Sequence, residues 1–309
     1  MDYFLPKVFN QKITSIISRL LLLACLLIST TQAIAEKNII IITPENNNYH
    51  KALANNILKN LKKHNITAET FSTGNTIEIK DKNDLIISLG KKAAEFIDNK
   101  KFQNPKLRVY SDSGPHIDPE HKSEPHLSMT QSVCQQFALA RAINPEWKKI
   151  SILLSKRNKH ATKNLSSCAQ KYNFNLKSIV IDEYINIIDA LNTSLPGSDA
   201  LLALPDLSIY NTKTIKSILL TSYRHRTPII GFSENFVHAG ALVAVHSSIK
   251  QLGKHITELI QQHYNNKNIN KHLYPKYFDV IINRNIAKSL NINTPDRKVL
   301  KEKLKKHNE

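Results

Sequence analysis

Residues Ala200 to Ser233 read ALLALPDLSIYNTKTIKSILLTSYRHRTPIIGFS. The segment opens with the apolar run ALLALPD, closed by Pro205 and Asp206, and ends with a second one, TPIIGFS. Between them TKTIKSILLTSYRHR carries its apolar residues at helical spacing. Strands that are apolar throughout, rather than alternating, are covered on both faces. Two of them joined through a helix lie parallel, because a tight hairpin cannot connect parallel strands. The segment therefore predicts a βαβ unit of a parallel sheet.

The same rhythm extends in both directions. NIIIITP, TAETFST, DLIISLG and KLRVYSD read as strands, and HKALANNILKNLKKHN and KKAAEFIDN as helices. A polar, Pro- and His-rich connection, Ser113 to His126, interrupts the series. It restarts with the helix MTQSVCQQFALARAI, the strand KKISILLS, the helix HATKNLSSCAQKYN, the strand KSIVID and the helix YINIIDALNTS. Two such series predict an α/β protein of two Rossmann-like lobes with parallel sheets. The later segments SIKQLGKHITELIQQHYN, YFDVIIN and RNIAKSLNI hold too few strands for a third lobe and complete the other two. The expected partition is 36–126 plus 244–275 for the first lobe, 127–243 plus 276–295 for the second, and a charged tail over 296–309.

At 309 residues and 41% apolar content the chain can bury a large core. Its net charge of +18 comes mostly from lysines scattered through the text rather than clustered with aromatics, which predicts a solvated basic surface and no nucleic-acid partner. Lys7, Lys12 and Arg19 precede the apolar run LLLLACLLI, and Ala-Ile-Ala follows before Glu36. That order describes a cleavable export signal over 1–35, and the expected location is the periplasm. A lipid-carrying Cys25 and an uncleaved anchor are the alternatives, although the apolar run falls short of the ~20 residues of a spanning helix. The remaining cysteines, Cys134 and Cys168, lie on consecutive predicted helices flanking one strand. An oxidising compartment permits their bonding, and two buried thiols are equally compatible with the sequence.

Ligands of open parallel sheets bind outside the carboxyl ends of the strands. The rule nominates the loops Pro44 to Tyr49, Gly90 to Lys92, Ser111 to Gly114, Ser155 to His160, Pro205 to Tyr210 and Ser233 to His238. Within them the candidate ligand-binding residues are Glu45, Gly90, Lys91, Ser111, Asp206, Tyr210, Ser233 and Phe236. Gly90 opens a helix whose free N–H groups suit a carboxylate. Asp206 either binds an ammonium or shapes its own turn. Tyr210 either stacks on a ligand or packs at a helix start. Gly231-Phe232-Ser233 begins like a nucleophile elbow, but Asn235 occupies the position of the second glycine, so Ser233 reads as a hydrogen-bond donor beside Phe232 or Phe236. No cofactor motif and no metal-ligand spacing among the thirteen histidines is present, so neither group is expected.

The stretch from Ala200 through Ile260, with its PD-x-x-I-x-N run, GFS, AGAL and a helix holding the single glycine Gly253, resembles the substrate-binding components of ABC-type uptake transporters. The resemblance is to the group that includes tryptophan- and tyrosine-binding lipoproteins. YFDVIINRNIAKSLNI resembles their closing segment, and LIISLGKKAAEFI their first-lobe glycine loop. It implies a type I periplasmic binding fold with three hinge crossings and a ligand in the cleft between lobes. It further implies a monomeric receptor, without catalysis, that hands a small solute to an inner-membrane permease; the net positive charge favours an anionic or zwitterionic solute, such as an amino acid. SDSGPHIDPEHKSEPH departs from the family pattern, so the solute itself is not carried over. A periplasmic sensory subunit on the same fold and a secreted serine hydrolase are the competing readings.

Overall fold

The computed structural model describes residues 38–79, 81–110, 124–156, 158, 162–181 and 186–306. The expected export signal, Cys25, Ser111 and most of the Ser113 to His126 connection lie outside them. The chain opens with β1 (Ile39–Thr43), α1 (Asn48–Lys62), β2 (Ala68–Ser72), β3 (Leu85–Leu89), α2 (Lys91–Asn99), β4 (Lys106–Tyr110) and β5 (His126–Ser128). It continues with α3 (Val133–Ile143), β6 (Lys149–Ser155), α4 (Thr162–Lys171), β7 (Asn175–Ile181), α5 (Ile187–Ser194), β8 (Ala200–Leu202), α6 (Ile215–Arg224), β9 (Ile229–Gly231), α7 (Glu234–Ala239) and β10 (Val243–His246). The last elements are α8 (Ile249–Tyr264), β11 (His272–Leu273), β12 (Asp279–Ile282), α9 (Arg284–Ser289) and α10 (Arg297–Lys305).

These strands form two six-stranded sheets, ordered β2-β1-β3-β4-β5-β11 and β7-β6-β8-β9-β10-β12. All pairings are parallel except β10 with β12. The central strands β1 and β3 are buried at every position, as their unbroken apolar text requires. In the first sheet, Ile39, Ile41, Leu85 and Ile87 pack against α1 and α8. Ile40, Ile42 and Ile86 point the other way, onto α2. The second sheet is likewise covered twice, by α3, α4, α9 and α10 on one face and by α5, α6 and α7 on the other. In α8, Gly253 faces Asn56 of α1, and any side chain there would collide with the Asn56 amide. The absence of a Cβ lets the two helices close over one core.

Three features correct the reading of the sequence. The ALVAVH text is strand β10, hydrogen-bonded to β9, so the second sheet continues past the expected border at 243/244. The border expected at 126/127 falls inside β5, a strand of the first sheet. Over 296–306 the charged tail is a helix packed on the second lobe rather than a separate segment: α10, capped by Asp296, buries Leu300 and Leu304 in the second core, and Lys301 Nζ reaches Asp279 Oδ1 at 2.6 Å.

The chain passes between the sheets three times, after β5, after β10 and after β11. One buried side chain ties the three passages together. Gln131 Nε2 donates to Ser247 Oγ at 2.8 Å and to the Pro275 carbonyl at 3.2 Å. Ser247 Oγ in turn donates to the Tyr277 carbonyl at 2.7 Å. In the second lobe Cys134 of α3 and Cys168 of α4 are joined by a disulfide.

Two stability measurements follow from these ties. Gln131→Leu keeps the volume but strands the Pro275 carbonyl and removes the hydrogen bond that Ser247 Oγ accepts, and a loss of about 1–3 kcal/mol in urea unfolding is expected. Replacing both cysteines by serine opens a loop with a sequence separation of 34. Chain entropy then predicts a further loss of about 3–4 kcal/mol against the oxidised protein, and equal midpoints would show that the bond contributes nothing.

Candidate functional site

Asp206 sits just beyond β8, where an apolar strand gives way to a turn, and is 8% exposed. Its Oδ1 accepts hydrogen bonds from the Ser208 amide at 3.0 Å and the Ser208 hydroxyl at 2.5 Å. Oδ2 accepts from Asn158 Nδ2 at 2.7 Å, and the Asp206 carbonyl accepts from the amides of Ile209 and Tyr210. Burial alone pushes the carboxyl up, but donors from Ser155, Ser208 and Asn158 outweigh it and hold the group below its ordinary value. Ser155 assists although its buried Oγ closes no hydrogen bond of good geometry. Asp206 is therefore ionised at neutral pH, with both lone-pair directions of Oδ1 filled from within the loop. Of the two roles left open by the sequence, the bonds favour the organiser of the strand-end loop.

Beside it stands an aromatic cluster. Tyr210 lies 5.5 Å from Phe236 and 6.0 Å from Phe232 between ring centroids, and the two phenylalanines are 5.2 Å apart. Tyr210 is buried and its hydroxyl has no hydrogen-bond partner among the described residues; burial, then the Asp206 charge, raises its pKa, so it remains a neutral phenol. Phe236 is packed into the core, whereas Phe232 is only half-buried. The apolar surface at this strand end is thus offered by Phe232. Ser233 caps α7, its Oγ accepting from the Phe236 amide at 3.3 Å. That leaves its O–H as a donor, and among the described residues no histidine hydrogen-bonds to it, as a nucleophile would require.

In the first lobe Gly90 begins α2 with φ +91°, a conformation that L side chains rarely adopt. A Cβ there would also stand 2.6 Å from His50 Nε2. Among the described residues no side chain caps this helix; the Ala93 and Ala94 amides bond the Gly90 carbonyl, and those of Lys91 and Lys92 remain open at the end of β3. The helix is held from its far end by Arg108 of β4, which donates to both oxygens of Asp98 at 2.6 and 3.1 Å and to Glu124 at 2.6 Å. Burial pushes the His50 imidazole below its ordinary value, leaving a neutral ring against Gly90. Lys91 turns outward, 3.9 Å from Glu95 along the helix. Glu45 is exposed, its carboxylate lying over Gly74.

The structure thus gathers Asp206, Tyr210, Ser233 and Phe236 at the carboxyl end of the second sheet, and Gly90 and Glu45 at that of the first. Ser111 is outside the described residues. Ser155, Asn158, Ser208 and His50 also belong to the neighbourhood and were not singled out as site residues, and Phe232 stood only as the alternative to Phe236. Asn158 lies in a strand-end loop that topology does nominate, and only the orientation of the Asp206 carboxylate reveals its function. Among the described residues no group of three or more His, Cys, Asp or Glu could hold a metal ion, and no helix is long and apolar enough to cross a membrane.

Comparison with known proteins supplies a second line of argument. Residues 126–306, more than half of the chain, match the family model described as ABC transporter substrate binding protein. Among solved structures, the ligand-free, open form of a substrate binding protein with adhesive properties from Clostridium difficile matches with a TM-score of 0.64 and 18% identity, over 85% of this chain and 97% of that one. An ABC domain in complex with L-Trp from Streptococcus pneumonia matches at 0.59 and 16%, over 85% and 98%. A periplasmic ribose ABC transporter protein from Conexibacter woesei matches at 0.57 and 7%, over 83% and 95%. At these identities the structures establish a shared fold, the type I periplasmic binding fold. No curated protein matches the chain significantly.

The Asp206 loop yields a pH signature. A carboxyl whose folded value is lowered contributes stability that is present above its unfolded value, 3.8 here, and is lost as pH falls through the folded value. Asp206→Ala is expected to cost about 2 kcal/mol at pH 7. In urea unfolding the gap to the parent protein should close below pH 3.8. A gap that persists undiminished there would remove the charge from the explanation.

Proposed function

The chain belongs to the family of ABC transporter substrate-binding proteins, and from that premise we propose that it is the periplasmic solute receptor of an uptake system. The observation that carries this reading is the pairing of two parallel sheets, joined by three hydrogen-bonded crossings, with an open polar and aromatic surface at the strand ends of each. Parallel sheets place their ligand sites there. Two lobes on a common hinge give such sites a means of closing on a solute.

In this reading each lobe supplies a different chemistry. The uncapped start of α2 at Gly90 offers amide N–H groups and the positive end of a helix to a carboxylate. The second lobe offers the Ser233 hydroxyl, the face of Phe232 and the Ser155 and Asn158 side chains, with Asp206 fixing their loop. This set suits a small zwitterionic or anionic solute with an apolar portion, an amino acid being the simplest. The solute exchanges water for these donors, and its contacts with both lobes favour the closed state by the difference in its affinity for the two. The closed form is then presented to an inner-membrane permease. No bond of the solute is made or broken in this reading: among the described residues Ser233 has no histidine partner to take its proton, and its Oγ serves as the acceptor of a helix cap. Periplasmic residence follows from the basic and apolar order of residues 1–35.

The test is a thermal-shift screen of the protein against amino acids, L-tryptophan included, and against small carboxylates, nucleosides and peptides. A solute bound only by the native state at about 100 times Kd adds about 2.7 kcal/mol. For a chain of this size that is a rise of about 5–10 °C. The rise should shrink in Phe232→Ala while the unliganded melting point moves little. A well-folded protein that responds to no solute would overturn the receptor reading.

A further inference from the structure

A second concave surface lies on the outer side of the first lobe, between α1 and α8. It is a groove of about 570 Å³ lined by ten residues, four of which are lysines: Lys59 and Lys63 on one wall, Lys250 and Lys254 on the other. The whole chain holds 43 Lys and Arg in 309 residues, so cations are concentrated here well beyond the general basic character of the surface. All four are exposed and none makes an ion pair with a described residue, although Lys254 Nζ also lies 4.2 Å from the centroid of the Tyr277 ring. The only acid in the groove, Glu258, is already engaged by the Tyr277 hydroxyl at 2.5 Å and by Lys276 Nζ at 3.0 Å.

Helix stability does not account for this arrangement. Lys59 and Lys63 stand at the end of α1, where a cation is favourable, but Lys250 stands in the first turn of α8, where it is not. The floor has a chemistry of its own. On it Asn60 Nδ2 donates to Asn56 Oδ1 at 3.3 Å and the buried Thr257 hydroxyl donates to the Gly253 carbonyl at 2.7 Å, so the Asn56 N–H groups and the Asn60 amide oxygen are what the floor offers a ligand. A membrane is a broad surface and cannot enter such a recess. A single extended chain can, with its backbone amides over Asn56 and Asn60 and its carboxylates between the lysine walls.

We propose that this groove docks an extended acidic segment of a partner protein. Both walls belong to helices packed on the first sheet, so the docking does not depend on the state of the cleft and is separate from solute binding. Charge complementarity of this kind speeds association and weakens with salt.

The experiment measures binding of fluorescein-labelled octaglutamate by anisotropy, at low salt and at about 0.15 M, where the screening length is near 8 Å. Two quadruple variants are compared, Lys59→Gln/Lys63→Gln/Lys250→Gln/Lys254→Gln in the groove and Lys51→Gln/Lys82→Gln/Lys148→Gln/Lys288→Gln elsewhere. They remove the same net charge, and circular dichroism verifies that both are folded. The groove variant should bind about tenfold more weakly or worse, with little change in the other, since lone exposed pairs contribute little one by one. Equal weakening in the two variants, or no binding of the parent at low salt, would overturn the proposal. Displacement by inorganic phosphate at matched ionic strength would do so too, by making the groove a small-anion site. Co-sedimentation with phosphatidylglycerol vesicles that only the groove variant loses, without peptide binding, would assign the surface to lipid instead.

Discussion

The amide of Gln131 is the constraint on which the two-lobed arrangement depends. The two sheets share no strand, and each has a helix layer on both faces. What relates them is three short passages of chain, and three separate passages would leave the lobes free to shear as well as to rotate. By bonding Ser247 and the Pro275 carbonyl at once, Gln131 makes the passages move as one. Ser247 extends the tie to Tyr277. The three passages are thus bonded to one another at a single level.

Each lobe is rigid for a different reason than the hinge. Unbroken apolar strands such as IIIIT and LIISL fill both faces of the first sheet, and rigidity follows from close packing. The strand ends, where that packing stops, are where polar groups gather. Asp206 illustrates the transition. Two residues before it the chain is in the core; at Asp206 a buried carboxylate must be satisfied, and the loop winds around it until Ser208 and Asn158 supply the donors. The demand of one buried charge thus fixes the positions of the side chains around it.

The α/β class, the two lobes and the identity of the strand-end loops were legible in the sequence, because long apolar runs and helical periodicity are local signals. What escaped was short or tertiary. β5 and β11 hold three and two residues, and their partners lie far apart in the chain, His126 beside His272. β10 consists of small apolar residues that read as a return path, and only its bonds to β9 assign it to the second sheet. The charged text of α10 conceals Leu300 and Leu304, whose spacing marks a buried stripe narrower than the lysines around it. In the site, Asp206 was recognisable as a turn residue, but Asn158 is 48 residues away and no local pattern links the two.

The disulfide gives the protein two stabilities in sequence rather than one. Cys134 lies just after the first passage from the first lobe, and Cys168 on the helix that follows the loop bearing Asn158. Thiols remain reduced where proteins are synthesised and pair only in an oxidising space. Until then α4, and the loop it anchors, is fastened to α3 by packing alone. Under the periplasmic reading proposed above, the chain is less stable, and easier to keep unfolded, in the compartment where it is made than in the one where it works. Oxidation acts as a one-way latch on the half of the molecule that carries Asp206.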